Sequence, residues 1–280
     1  HETIDRRRRL LLASGALGLA MAPLSRINAA PAQSGSDAIA EDAYIPRVKH
    51  ALLIGNRNYP NNKDIPPAHK NVADLREALE FLEFKVTSHT DLDAPGMRNV
   101  VNKFGAQVRS LAENTMPGSL AIVIYFCGHG FQSEGVNYLV PAGIDPSSES
   151  AVKSSLRLIE DILAPFPQRY PGISIALVDA CRTDPLFKRG VDEMNQIVAP
   201  KGSLVFFATR AGRPALAPID AKRNTFFAEA LVNTLHAGNG VTPIDELFQL
   251  AALRCQARVK EEFDKVNLKL APQYPESTAN

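Results

Sequence analysis

Two short stretches of this sequence hold the residue types needed for nucleophilic catalysis. Cys127-Gly128-His129-Gly130 closes one long apolar run, and Asp179-Ala180-Cys181-Arg182 closes another. A thiolate is the competent nucleophile. A nearby imidazole can lower the thiol's pKa and later protonate a leaving amine. The glycines on either side of His129 leave room for its ring to project into a cleft. Backbone N–H groups at Gly130 and Cys181 are candidates for holding an oxyanion. Taken singly, each residue favours the plainer reading of a packed thiol and a structural histidine, because unpaired Cys is among the most buried residue types. The pairing at the ends of two strands is what raises chemistry, and pairing alone leaves both readings open.

The positioning elements follow from periodicity. The runs at 48–54, 120–126, 173–178 and 204–208 are apolar and nearly unbroken, as expected of strands covered on both faces. The run at 48–54 is closed by Gly55-Asn56. A short strand is expected at 84–88 and a hairpin arm at 136–140. Apolar residues at helical spacing predict helices at 72–81, 97–111, 156–163, 225–235 and 244–263. This alternation predicts an α/β fold: a mostly parallel sheet of about six strands with helices on both faces. In such sheets functional groups gather at the carboxyl ends of the strands, which is where His129 and Cys181 fall.

The bulk composition excludes several classes. The 280 residues include 31 Lys plus Arg against 30 Asp plus Glu, so no global charge argues for nucleic acid or an anionic membrane. The three cysteines, Cys127, Cys181 and Cys255, form neither a disulfide framework nor a zinc pattern. A cysteine phosphatase would need Arg six positions after its Cys, where this chain has Phe187, and no phosphate-binding glycine loop is present. The N-terminal region is different in kind. Arg6 to Arg9, an apolar stretch from Leu10 to Leu24, and small residues at 28–32 read as an export signal over 1–32. Its R-R-R-L-L pattern and weak hydrophobicity resemble a twin-arginine signal, which implies export in folded form, to the periplasm. A basic tail or an uncleaved anchor is the plainer alternative. Residues 33–46 read as a linker and 47–276 as the catalytic domain.

At the two motifs the sequence resembles the caspase-like clan, in particular the bacterial metacaspase-type cysteine peptidases. The resemblance rests on H-A-L-L-I-G-N-R-N-Y at 50–59, Y-F-C-G-H-G at 125–130, N-Y-L-V-P at 137–141 and D-A-C-R at 179–182. It extends to A-T-R-A-G at 208–212 and P-Q-Y-P-E at 272–276. It implies peptide-bond hydrolysis by a His129/Cys181 dyad, on a peptide or protein substrate and with no cofactor. It also implies that Asp179 and Asp74 are substrate-binding acids, receiving an Arg or Lys before the scissile bond. Asp74 is the looser match, and an acid is favoured in a first helical turn for its own reasons. Cys127 stands where the family has Ser, which suits a small buried hydrophobe or a reversible partner for Cys181. Acids are sparse where calcium-dependent members carry them (Ser147, Ser148 and Lys188 stand there), so no metal site is expected. Residues 183–201 would link two subunits, with Lys188-Arg189 as a self-cleavage site. The competing reading is a catalytically silent caspase-like scaffold that binds a partner.

Overall fold

The computed structural model describes residues 47–116, 118–166, 172–180, 203–208, 220–238, 242–266 and 276–279. In chain order the elements are β1 (Val48–Gly55), α1 (Ala68–Phe81), β2 (Lys85–Thr90), α2 (Ala94–Asn114), β3 (Leu120–Cys127), and the hairpin strands β4 (Gly130–Ser133) and β5 (Val136–Leu139). There follow α3 (Glu149–Ser154), β6 (Leu156–Arg157), a π-helical turn (Leu158–Leu163), β7 (Gly172–Asp179), β8 (Ser203–Phe207), α4 (Phe226–Ala237), α5 (Ile244–Val266) and β9 (Glu276–Ala279).

The apolar runs are the interior of one six-stranded sheet in the order β2-β1-β3-β7-β8-β9. Its first five strands are parallel, and β9 pairs antiparallel with β8. All eight residues of β3 are buried, as its unbroken hydrophobicity predicts for a central strand. Alternate residues feed two cores. Ala121, Val123 and Tyr125 join Ala51 and Leu53 against Leu75 and Leu79 of α1, Leu231 of α4 and Phe248 of α5. Ile122, Ile124 and Phe126 join Leu52 and Ile54 against Val101, Phe104 and Val108 of α2. The expectation of a mostly parallel sheet with helices on both faces holds. β4, β5 and β6 form a separate three-stranded antiparallel sheet springing from the end of β3.

Residues 156–163 depart from the predicted helix. Leu156 and Arg157 pair with Leu139 and Tyr138 as β6, and the rest forms the π-helical turn. Its buried Leu158, Ile162 and Leu163 keep a helix-like spacing while covering the α2 face. Tertiary pairing with the hairpin overrides the local pattern there. The strand β9 was not anticipated either, because Glu276-Ser277-Thr278-Ala279 carries no apolar signature.

Two features seat the loops at the carboxyl edge. Gly55 ends β1 where a Cβ would lie 2.6 Å from the Ala68 carbonyl oxygen, so only glycine lets α1 start this close to the sheet. The Asn56 side chain accepts from the Leu92 N–H at 3.0 Å and donates to the Leu92 carbonyl at 3.3 Å, joining the exits of β1 and β2.

Leu53 is fully buried at the centre of β1. Leu53→Ala should cost about 2–5 kcal/mol in urea unfolding, the range for a core cavity. Leu253→Ala, at a position 63% exposed on α5, should change stability by less than about 0.5 kcal/mol. Similar costs at the two positions would contradict this assignment of the core.

Candidate functional site

β3 and β7 are parallel neighbours in a register that sets Cys127 opposite Asp179. His129 follows two residues after Cys127 and Cys181 two residues after Asp179. Both motifs therefore leave the sheet at the same edge and level. Cys181 itself lies outside the described residues, as do Lys188-Arg189, the export signal at 1–32 and the linker at 33–46.

His129 is largely buried and sits in a specific cradle. Its Nε2 is 2.6 Å from the backbone carbonyl oxygen of Lys63, in the loop between β1 and α1. A carbonyl oxygen only accepts, so Nε2 carries the proton and donates. In the neutral ring Nδ1 is then left with its lone pair, which is the state a general base requires. The Tyr59 ring meets the imidazole edge-on with centroids 4.5 Å apart. The Tyr59 hydroxyl accepts from the His129 N–H at 3.1 Å and donates to the Val140 carbonyl at 3.0 Å. A Cβ on Gly128 would come within 2.6 Å of the Phe126 ring and 2.7 Å of the Tyr59 hydroxyl, so glycine is required for this packing. Burial holds the imidazole below its usual pKa. The Lys63 ammonium acts the same way, while the Lys63 carbonyl and the Asp145 carboxylate act against it. Gly130 opens β4 beside His129 and is half-buried.

Asp179 lies on the α1 and α4 face of the sheet and is 4% exposed. Its Oδ2 accepts from the Tyr125 hydroxyl at 2.9 Å, from Asn71 Nδ2 at 3.3 Å and from the Thr225 hydroxyl. Thr225 caps α4 by accepting from the Ala228 N–H at 3.1 Å. Its N–H donates to Asn71 Oδ1 at 3.1 Å. The Asn71 amide also donates to Cys127 Sγ at 3.4 Å. One polar cluster therefore links α1, β3, β7 and the start of α4. Burial pushes the Asp179 carboxyl up to about 6, against the lowering effect of the Thr225 and Tyr125 hydrogen bonds.

The structure thus brings Asn71, rather than Asp74, to Asp179. Asp74 lies further along α1, where Lys70 Nζ pairs with its carboxylate at 2.6 Å. Sequence reasoning passed over Asn71 because a helical amide has no chemical signature until its partners are known. Cys127 and Cys255 are buried thiols in the same core as α1, α4 and α5. Among the described residues no three of His, Cys, Asp and Glu converge to hold a metal ion. No described helix is long and apolar enough to cross a membrane.

Comparison with known proteins agrees with the fold. The sequence model of the caspase domain family matches residues 48–279. The chain is 30% identical over 141 residues to the mucosa-associated lymphoid tissue lymphoma translocation protein 1 of Homo sapiens, covering 50% of this chain and 16% of that protein. The Mus musculus homolog is 30% identical over 134 residues, covering 48% and 15%. The alignments therefore span about one sixth of the length of these relatives.

The buried cluster makes a pH-dependent prediction. The Asp179 carboxyl titrates near 6, so it is charged at pH 8 and neutral at pH 4.5. Tyr125→Phe removes one donor. It should cost about 1.5–3 kcal/mol at pH 8, where the bond reaches a charged acceptor, and about 0.5–1.5 kcal/mol at pH 4.5. Urea unfolding at the two pH values measures this, and an equal cost at both would contradict the cluster's charge state.

Proposed function

From a chain that belongs to the caspase domain family of cysteine peptidases, we propose a cysteine endopeptidase that cleaves after Arg or Lys through a His129/Cys181 dyad. The observation that carries the reading is the state of His129: a partly buried, neutral-leaning imidazole, its Nε2–H held by the Lys63 carbonyl, at the edge where β7 also ends at Asp179.

The chemistry follows from the residues. His129 accepts the Cys181 proton at Nδ1, and the thiolate attacks the scissile carbonyl. The imidazolium then protonates the departing amine, and water hydrolyses the thioester with His129 again as base. Gly130 and Cys181 N–H groups are the proposed oxyanion donors. Asp179 is the proposed partner of the substrate cation, two residues before the nucleophile. Its carboxylate is buried among neutral donors, so an incoming guanidinium supplies the countercharge that burial denies it. Asp74, paired with Lys70, is the weaker claim of the two acids. We further propose that residues 1–32 direct export, a reading that a reporter fusion with Arg7 and Arg8 replaced would test.

Fluorogenic peptides with Arg, Lys, Asp or Leu before the bond test the proposal. Cys181→Ala should abolish hydrolysis, and His129→Ala should cost nearly as much, since the two act as a unit. Arg should be preferred over Lys, with no cleavage after Asp. Asp179→Asn should weaken Arg substrates by about 1.5–3 kcal/mol. A carboxylate binds a cation only when ionised, so KM for Arg peptides should rise as pH falls through about 6. Full activity in Cys181→Ala would refute the nucleophile. A preference for Asp, or a KM indifferent to pH between 7 and 5, would refute the pocket. No hydrolysis of any peptide by the wild type would favour the silent scaffold.

A further inference from the structure

The carbonyl that orients His129 belongs to a loop, and loops do not hold a carbonyl to a few tenths of an ångström without support. Residues 60–65 carry no helix or strand. Asn61 and Asn62 both adopt left-handed backbone, with φ of 60° and 57°. This conformation is uncommon outside glycine and best tolerated by Asn and Asp. Something must hold the turn in place.

One carboxylate does so from the far side. Asp145 Oδ2 accepts from Asn61 Nδ2 at 2.6 Å, and its Oδ1 pairs with Lys63 Nζ at 2.7 Å. The two oxygens grip the residues on either side of Asn62. Asp145 is itself fixed: its Oδ1 accepts from the Ser147 N–H and hydroxyl, each at 2.9 Å, and its carbonyl accepts from the Ser148 hydroxyl at 2.7 Å. It follows β5, the second strand of the hairpin that begins at Gly130 beside His129. A second tie runs the same way, since the Gly143 N–H donates to the Asn58 carbonyl at 3.0 Å. The imidazole and the clamp on its orienting loop are thus carried by the two ends of one hairpin.

We propose that Asp145 and the Lys63 side chain are positioning residues for His129, clamping the loop whose backbone carbonyl fixes the imidazole and its tautomer. The proposal rests on His129 being the catalytic base.

The magnitudes favour geometry over stability as the role. The side chains of Lys63 and Asp145 are 32% and 24% exposed, and ion pairs that wet contribute little to folding. A displaced orienting group, by contrast, can cost up to about 100-fold in rate per ångström. The clamp also persists across pH. Hydrogen bonds from Lys63 and Ser147 hold the Asp145 carboxyl well below the usual carboxylate range. Among the described residues, the titratable groups that act on the His129 ring are Tyr59 and Lys63 from the loop and Asp145 from the hairpin exit. The Tyr59 phenol is kept protonated by burial. Lys63 and Asp145 act on the ring with opposite signs, which separates positioning from charge in an experiment.

The test uses Lys63→Met, Asp145→Ala, their double variant and Lys63→Arg, all in the full chain. Each of the first two should lower kcat on an Arg peptide about 10-fold, with KM changed less than about 3-fold. The double variant should be no worse than either single, and Lys63→Arg should recover most of the rate. The acid limb of kcat/KM should move up in pH for Lys63→Met, which removes a cation, and down for Asp145→Ala, which leaves Lys63 uncompensated. Ring 15N shifts of His129, assigned by the signal lost in His129→Gln, should show one Nε2–H tautomer in the wild type and a mixture in both single variants. This readout needs no peptidase activity: a tautomer change in the two single variants, with the wild type itself inactive on every peptide, would support the clamp while removing the proposed function. Unchanged tautomer and kcat in both variants would overturn the clamp. Additive losses of kcat with both acid limbs moving the same way would overturn it too.

Discussion

The parallel register of β3 against β7 is the constraint on which the rest depends. Eight residue pairs run from Leu120 opposite Gly172 to Cys127 opposite Asp179. Because side chains alternate between faces, a slip of one residue would exchange the two cores along the whole strand. It would also part Tyr125 from Asp179, whose hydrogen bond crosses diagonally between the strands at 2.9 Å. The hydrophobic alternation that selects the register therefore also sets the level at which the histidine and cysteine motifs leave the sheet. The two proposed catalytic residues follow directly in sequence, His129 two residues past Cys127 and Cys181 two past Asp179.

The two halves of the site solve opposite electrostatic problems. Asp179 is a buried acid held by neutral donors, a costly arrangement that leaves its carboxyl titrating near 6. It is satisfied by hydrogen bonds from neutral donors, and among the described residues no cation pairs with it, which is the condition of a group that gains from a cationic ligand. His129 is a partly buried base whose charged form is disfavoured by desolvation and whose proton is assigned to one nitrogen by a main-chain oxygen. The first arrangement stores a demand for positive charge. The second keeps a lone pair available. Asn71 and Thr225 couple the acid to α1 and to the cap of α4, so the start of α4 is tied to the same cluster as the helix that follows β1.

The sheet and the two motifs were readable in the sequence because their physics is local and strong. Unbroken runs such as 120–126 leave few alternatives to a central strand, and a His and a Cys at the ends of two such strands narrow the chemistry. What was not readable is what arises from tertiary contact. Leu156 to Leu163 has helical spacing, yet two of its residues pair with β5. Asn71 joins the Asp179 cluster only through α1 reaching β7, a contact that no motif marks, whereas the motif match fell on Asp74, which pairs with Lys70. The Lys63 carbonyl has no sequence signal at all, since every residue carries one.

The central claim is that His129 activates Cys181, and the pH dependence of thiol alkylation measures it without any choice of substrate. Iodoacetamide labelling, resolved to Cys181 by peptide mass analysis, reports the thiolate fraction at each pH. The account predicts rapid labelling of Cys181 near pH 6–7, with an apparent pKa below the ordinary thiol value of about 8.5, and a return to that ordinary value in His129→Ala. An ordinary thiol pKa at Cys181 in the wild type, unchanged by His129→Ala, would contradict it.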